Sequence, residues 1–290
     1  MENIIINLNG EIFTNQEAKI SVLDRGFLYG DSVYEVIRTY NGIPFLLDDH
    51  LKRLWHSASK IGLEIDHSPE QITQEINKTL AELEDDNAYI RVVVTRGEGP
   101  ITLDPTTSEK NNLVVIVKPL PPNPKEWYSK GVSVIIANVL RVDRQAVDPN
   151  IKSGNYLNNI MAVREAKNQG AFDAIMLNND GFVTEGSTHN IWMVKNNTLY
   201  TPPLKAGILE GITRKAVLLL ASQNKIPIEQ KNITPNELIN ADEAFLTATT
   251  KEIVPITEID NSYVKDGTPG QVTRKLMVIY QNYIKQLTSL

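Results

Sequence analysis

The sequence predicts an α+β protein of two domains, and three observations lead there. The chain opens with two strands joined by a tight turn, its apolar spacing then switches between the periods of strand and helix, and a proline-rich stretch interrupts it before the midpoint. At 290 residues there is enough chain for two cores. The expected division is a small α/β domain over 1–118, a linker over 119–130 and a large domain over 131–290.

Ile4 to Leu8, Asn9-Gly10 and Glu11 to Phe13 read as strand, turn and strand, because Asn-Gly tolerates the positive φ angles of a two-residue hairpin turn. In Asp24-Arg25-Gly26-Phe27-Leu28-Tyr29-Gly30-Asp31 two glycines bracket apolar and aromatic residues, and Val33 to Tyr40 returns to a β-rich run. Tyr29, Tyr34 and Arg38 are candidates to line a pocket, although simple alternation would also point Tyr34 and Val36 into a sheet core. Asp48 is expected to cap a helix with Leu51, Leu54, Trp55, Ala58 and Ile61 on one face. Arg53 lies off that stripe, where a solvated charge is ordinary but a planar guanidinium also suits a phosphate. Ser68-Pro69-Glu70-Gln71 is a capping box that opens a helix through Ile72, Ile76, Leu80 and Leu83.

Tyr89 to Thr95 is a strand running into Arg96-Gly97-Glu98-Gly99-Pro100. The third glycine of a dinucleotide fingerprint would fall at Thr102 with no helical pattern behind it, so that site is rejected. Leu113 to Val117 is another strand, and Pro119-Leu120-Pro121-Pro122-Asn123-Pro124 reads as an extended linker.

In the second half, Val132 to Leu140 reads as a buried strand, and Phe172 to Leu177, Asn178-Asn179-Asp180-Gly181 and Phe182 onward as a hairpin. Thr184-Glu185-Gly186-Ser187-Thr188-His189-Asn190 is a polar knot before the strand Ile191 to Val194; its glutamate is a surface turn carboxylate or an anion held for a cationic ring nitrogen. Leu199 to Thr201 ends a strand, and Gly207-Ile208-Leu209-Glu210-Gly211-Ile212-Thr213-Arg214 opens a helix whose first amides and threonine hydroxyl form a natural phosphate cradle. Phe245 to Thr250 is a strand breaking into a hydroxyl-rich turn that can also hold an anion. The last helix, from Pro269 through Val272, Leu276, Ile279, Tyr283 and Leu287, reads as core packing.

Composition narrows the function classes. Hydrophobic content of 41% with 22% charge is that of an ordinary globular protein, and a net charge of −6 without basic runs argues against nucleic acid as a partner. With no cysteine there are no disulfides, thiolate metal sites or cysteine nucleophile, and four histidines without ligand spacing make a metal enzyme unexpected. No apolar stretch approaches the ~18 residues that span a bilayer, and the N-terminus lacks a signal pattern, so a cytoplasmic location is expected.

The chemistry gathers in Asp148-Pro149-Asn150-Ile151-Lys152-Ser153-Gly154-Asn155-Tyr156-Leu157-Asn158-Asn159. A lysine in a solvated turn is ordinarily only solubilising charge. Here Pro149 stiffens the approach, Gly154 permits a bend, and Asn155 is expected to cap a helix with Leu157, Ile160, Met161 and Ala162 as apolar positions. A lysine held in this way can offer its amine to an aldehyde cofactor.

With Asp24 to Asp31, the His50 to Leu54 helix containing Arg53, Ile151-Lys152-Ser153, Asn155 to Asn159, Glu185-Gly186-Ser187, Gly207 to Arg214 and the turn at Thr249 all in order, the chain resembles the class IV aminotransferases. These are the fold-type IV pyridoxal enzymes, with a two-domain fold like that of D-amino-acid aminotransferase, and the resemblance covers essentially the whole chain. It implies pyridoxal 5′-phosphate (PLP) as cofactor, bound by the large domain. Lys152 would be the catalytic Schiff-base lysine, Tyr156 would bond the cofactor's phenolate oxygen, and Glu185 would pair with the pyridinium nitrogen. Arg53, Ile212, Thr213 and Thr249, with Gly211 beside them, would hold the phosphate, and Leu209 would pack on the ring. Substrate contacts would come from Tyr29, Tyr34, Val36, Arg38, Tyr89, Arg91, Thr188 and Thr250. The implied reaction converts an amino acid to a 2-oxo acid and then runs backwards on a second oxo acid, usually 2-oxoglutarate, with ping-pong kinetics.

Within the family, Ala88-Tyr89-Ile90-Arg91 and the run from Thr95 to Pro105 look like the branched-chain aminotransferases. D-amino-acid aminotransferases carry an arginine and a histidine in this loop, where the chain has Ile101 and Leu103. Tyr34-Glu35-Val36-Ile37-Arg38 replaces the usual Phe-Glu-Gly-Ile-Arg and is closer to the D-specific and (R)-amine branches, while Thr188 stands where glycine is usual. The expectation is branched-chain L-amino-acid transamination with altered or broader specificity, extending to D-amino acids or (R)-amines. Aminodeoxychorismate lyase of the same fold and a non-catalytic small-molecule binding module are the alternatives. A hydrolase using Ser187 and His189 lacks a nucleophile elbow. The resemblance also implies a homodimer or higher homo-oligomer, with Tyr29 and the loop around Leu103 near the partner's site.

Overall fold

The computed structural model describes residues 3–288 and divides into two compact units, each mixing helices and strands. The first unit comprises the chain to Pro121, Ile151–Asn155 and the chain from Leu287; the second comprises Pro122–Asn150 and Tyr156–Gln286.

In the first unit the order is β1 (Ile5–Leu8), β2 (Glu11–Thr14), α1 (Arg25–Tyr29), β3 (Ser32–Tyr40), β4 (Ile43–Pro44), α2 (Leu47–Lys60), α3 (Pro69–Leu80), β5 (Ala88–Thr95) and β6 (Asn112–Pro119). The strands form a six-stranded sheet in the order β2-β1-β6-β5-β3-β4, antiparallel throughout. Asn9 and Gly10 turn the first hairpin with φ of 53° and 91°, as the Asn-Gly pair predicts. One face of β3 and β5, with Val33, Ile37, Ile90, Val92 and Val94, packs with Leu51, Leu54, Ile72 and Ile76 from α2 and α3. The register sets Tyr34, Val36 and Arg38 opposite Val93, Arg91 and Tyr89. Alternation therefore turns Tyr34 and Val36 away from the helix-covered core.

The capping box at Ser68 and Gln71 forms as predicted. Helix α2 begins differently: Leu46 is its N-cap in a left-handed conformation with no side-chain bond, and Asp48 sits inside the first turn beside Asp49. Both carboxylates there favour the positive end of the helix dipole without capping it. A buried charge cluster also ties α2 to β3. Glu35 is fully buried and accepts from Arg53 Nε and Nη2, each at 2.7 Å, while His50 Nδ1 lies 2.7 Å from its Oε2. Burial alone would raise the Glu35 carboxyl, but the charge and hydrogen bonds of Arg53, with His50, hold it at about 2. His50 lies below its ordinary value chiefly because of burial.

Residues 151–155 join the first unit through the main chain. Tyr34 N–H donates to the Lys152 carbonyl at 3.0 Å, Gly154 N–H to the Ser32 carbonyl at 3.0 Å, and Val33 bridges Ser153. A continuous large domain over 131–290 does not anticipate this excursion, because such pairing joins residues about 120 apart and leaves no local signature. Asn155 does not cap the following helix either; its amide donates to the Gly30 carbonyl at 3.3 Å.

In the second unit the order is α4 (Lys125–Ser129), β7 (Val132–Ile136), α5 (Leu157–Asn168), β8 (Asp173–Leu177), β9 (Val183–Gly186), β10 (Asn190–Lys195), β11 (Thr198–Thr201), α6 (Ile212–Gln223), β12 (Ile228–Gln230), α7 (Pro235–Ile239), β13 (Glu243–Ala248), β14 (Glu252–Ile259), β15 (Ser262–Tyr263) and α8 (Gln271–Thr288), which belongs to this unit as far as Gln286. Helix α4 and the end of β6 thus occupy much of the expected linker, and β7 stops at Ile136 rather than Leu140. The sheet runs β12-β11-β10-β13-β14-β7-β8-β9, with β15 on β14. Strand β9 also pairs β10 at Glu185 and Asn190, so the path returns to β10 and the sheet closes on itself. Val134, Ile175, Val183, Ile191, Leu246 and Val254 form part of its core.

Helix α5 starts after Tyr156 and buries Asn159, Ala162 and Ala166. Its expected apolar positions Leu157, Ile160 and Met161 face outward, 70%, 60% and 38% exposed. No helix among the described residues is long and apolar enough to cross a membrane.

The Glu35 cluster generates a prediction. A carboxyl lowered from 4.5 to about 2 contributes stability that is present above about pH 4.5 and is lost as pH falls through 2, on the order of 3 kcal/mol. Glu35→Gln should destabilise the protein at pH 7 by about 3 kcal/mol or more, since Arg53 loses its buried partner. In urea denaturation the gap to wild type should narrow as the pH is lowered from about 5 towards 3.

Candidate active site

In the first unit the lysine is fixed at its backbone and laid over an aromatic ring. Lys152 N–H donates to Ser57 Oγ of α2 at 3.1 Å, and Lys152 Nζ lies 4.5 Å from the centre of the Tyr34 ring and 3.4 Å from its hydroxyl. Arg91 also lies over Tyr34, with Cζ 3.9 Å from the ring centre. Two cations therefore share one ring, a cation–π arrangement that restricts both side chains. Arg38 is 9% exposed and stacks on Tyr40 at 4.0 Å, and Val36 and Tyr89 are half-buried on the same sheet face. Expected substrate contacts Tyr34, Val36, Arg38, Tyr89 and Arg91 are thus gathered on one face of β3 and β5.

Arg53, expected at the phosphate, directs Nε and Nη2 at Glu35. Tyr29 ends α1, half-buried, 5.1 Å from Arg25 Cζ. Arg25 in turn donates to the carbonyls of Thr102 at 2.7 Å and Leu103 at 3.3 Å, and shares Asp31 with Arg96. The loop after Gly99 is therefore gripped by its main chain, while Ile101 and Leu103 remain 76% and 79% exposed.

In the second unit a buried carboxylate is the central feature. Glu185, 5% exposed on β9, accepts at Oε2 from the Leu209 N–H at 2.9 Å and from Asn190 Nδ2 at 3.5 Å. Arg141 binds its Oε1 through Nε at 3.1 Å and Nη2 at 3.0 Å. Asn190 donates also to the Leu209 carbonyl at 2.9 Å, and Gly211 is needed beside it because a Cβ there would fall 2.0 Å from Asn190 Oδ1. Glu185, Leu209 and Gly211 are thereby brought together.

Gly211 is the N-cap of α6 and no side chain caps it, so the amides that begin with Ile212 and Thr213, both buried, form the start of an anion cradle. Thr249 and Thr250 are half-buried in the turn after β13, where Asn123 donates to the Thr250 carbonyl at 2.8 Å. Tyr156 is half-buried at the N-cap of α5, and Thr188 is exposed in the turn between β9 and β10. Ser187 and His189 do not make a nucleophile and base: Ser187 Oγ donates to Asp173 Oδ2 at 2.6 Å, and His189 Nδ1 lies 3.3 Å from that same oxygen. Burial, against the pull of Asp173, pushes His189 down to about 4, so it is neutral near pH 7.

The motifs did not single out Arg141, nor the part played by Glu35. Arg141 belongs to no spacing pattern, since its acceptor is 44 residues away. Glu35 carried a signal, a carboxylate inside a β-rich run, which implies a buried partner.

The donor set suits PLP in chemical type: a buried carboxylate for the ring nitrogen, an uncapped helix start with a threonine hydroxyl for the phosphate, and a lysine held by its backbone. Comparison with known proteins agrees. The amino-transferase class IV family profile matches residues 32–259. A putative branched-chain-amino-acid aminotransferase of Methanocaldococcus jannaschii is 40% identical over 93% of each chain. A D-alanine aminotransferase of Bacillus licheniformis is 38% identical over 97% of each. Among solved structures, the branched-chain aminotransferase of Thermoproteus uzoniensis with norvaline superposes with a TM-score of 0.90 at 35% identity, covering 98% of this chain and 96% of that one. The branched-chain enzyme of Thermobaculum terrenum in its PLP form gives 0.88 at 28% identity, over 99% and 95%. The chain therefore belongs to the class IV aminotransferases, fold-type IV enzymes that work with PLP.

Proposed function

We propose that the protein transfers the amino group of branched-chain L-amino acids to 2-oxoglutarate, with Lys152 as the lysine that carries PLP. The observation that carries the specificity is the loop after Gly99, where Ile101 and Leu103 present apolar side chains from a main chain held by Arg25. An arginine and a histidine in that loop are what the resemblance associates with D-amino-acid binding. Arg38 and Arg91, on one sheet face where Val36 is paired directly with Arg91 and lies beside Arg38 along β3, supply positive charge for the carboxylate groups of both substrates.

When bound, PLP supplies an electron sink for the bond broken at Cα. Lys152 Nζ would accept the proton leaving Cα and deliver it to the cofactor's C4′ carbon within the same half-reaction, Tyr34 would steady the amine in the meantime, and Glu185 would keep a proton on the ring nitrogen. Arg53, Ile212, Thr213 and Thr249 would hold the phosphate, Tyr156 would bond the phenolate oxygen, and Leu209 would pack on the ring.

A second reading, transamination of D-amino acids or (R)-amines, is favoured by Val36, which stands half-buried opposite Arg91 where the branched-chain pattern has glycine. A homodimer is the third part of the proposal. The first unit exposes Val22 at 70% and Phe27 at 66%, and the second exposes Leu157 and Ile160 on α5, an outward apolar load that a second copy would cover.

The deciding experiment is the absorbance spectrum of the purified protein with PLP beside Lys152→Ala, with L-leucine, D-alanine and (R)-1-phenylethylamine added in turn. Wild type should show a band absent from the variant, bleached fastest by L-leucine, and the variant should lose ~10²–10⁴-fold in turnover. Fastest bleaching by D-alanine or the amine transfers the assignment to the second reading. Val36→Gly should raise kcat/KM for L-leucine relative to L-alanine by about 10-fold. Light scattering should give twice the chain mass, and a Leu157→Asp, Ile160→Asp double variant should move it towards one.

A further inference from the structure

Arg141 lies between the buried Glu185 carboxylate and the start of α5. Its guanidinium is bound on one side to the Glu185 carboxylate, through Nε at 3.1 Å and Nη2 at 3.0 Å. On the other side Nη1 donates to Asn158 Oδ1 at 3.2 Å and Asn159 Oδ1 at 3.4 Å, at the start of α5. The main chain around it is fixed as well. Arg141 N–H donates to the Leu177 carbonyl at 2.8 Å, Val142 N–H to Asn158 Oδ1 at 3.2 Å, and Asn158 Nδ2 to the Leu140 carbonyl at 2.8 Å. Arg141 and Glu185 are both largely shielded, with side chains 12% and 7% exposed. The arginine is therefore the hub at which the start of α5, with Tyr156 as its N-cap, meets the carboxylate that also holds the Leu209 amide.

We propose that Arg141 is a positioning residue that holds Glu185 as an oriented anion and so keeps the shared proton on the cofactor's ring nitrogen. This rests on the reading of Glu185 as the partner of that nitrogen. A carboxylate buried among apolar residues would take up a proton readily, and a protonated or rotated Glu185 would serve the ring nitrogen poorly. A bound guanidinium lowers the carboxylate's appetite for the proton, and the geometry leaves Oε2 fixed by the Leu209 N–H. In a proton shared between carboxylate and pyridine, the weaker base is then the carboxylate. Asn158 and Asn159 acquire a role in the same step: as neutral acceptors they orient the guanidinium without competing for its charge.

The test uses the full chain loaded with PLP labelled with ¹⁵N in the ring, and reads the ring-nitrogen NMR signal across pH in wild type, Glu185→Gln, Arg141→Gln and Arg141→Lys. Wild type should show the protonated position, Glu185→Gln should move to that of unprotonated pyridine, and Arg141→Gln should move the same way at a lower pH than wild type. Arg141→Lys, which keeps the charge, should recover most of the shift. A merely structural role for Arg141 would alter thermal stability but leave the ring-nitrogen signal in place. If Arg141→Gln keeps the wild-type signal while Glu185→Gln moves it, the proposal fails and the role of Glu185 stands. If Glu185→Gln does not move it, the reading of Glu185 fails and the proposal with it. Should Arg141→Gln not fold, the double variant Asn158→Ala, Asn159→Ala removes both acceptors on the guanidinium's far side and should give a smaller displacement in the same direction; an unmoved signal there also overturns the proposal.

Discussion

The fastening of residues 152–154 to β3 is the constraint from which the rest of the first unit's chemistry follows. Tyr34 N–H and Gly154 N–H make two rungs with the carbonyls of Lys152 and Ser32, and Ser57 takes the Lys152 amide. The lysine backbone is thereby spliced beside the strand that carries Tyr34, so its amine meets that ring without depending on a flexible loop. Strand alternation does the remainder. Tyr34, Val36 and Arg38 share one face, while Glu35 between them reaches the other side and binds Arg53 and His50 of α2. One strand thus presents Tyr34, Val36 and Arg38 on one face and anchors a helix on the other. The second rests on an ion pair that must stay ionised while buried.

The second unit reaches a comparable order by closure rather than splicing. Glu185 and Asn190 form the pairing that returns β9 to β10, and the same two side chains meet again at Leu209. A side chain at a point of sheet closure has its direction set from both strands. The buried carboxylate is accordingly held by backbone geometry before any side-chain partner is counted.

What could be read from the sequence was whatever is periodic or local. The Asn9-Gly10 hairpin, the Ser68 capping box and the apolar faces of α2 and α3 all obey rules that act within a few residues. Asp48 and Asn155 misled as caps because the residue types that cap helices are equally content in a first turn or a tight bend. Helix α5 shows the limit of periodicity: the stripe of Leu157, Ile160 and Met161 is real, but a stripe does not say whether it faces a core or solvent. Arg141 and the pairing of residues 152–154 with β3 were hidden for a different cause, since contacts across tens of residues have no period.

The grip of Arg25 on the loop after Gly99 has a consequence for descent. It falls on the carbonyls of Thr102 and Leu103, which every amino acid possesses, and it spares the side chains at 101 and 103. The loop is in effect a socket into which evolution can plug different side chains without rewiring the backbone that presents them. Such a socket makes changes of preference cheap in mutational steps. It suits a family in which relatives at 40% and 38% identity to one chain bear the names of different amino-acid transaminations.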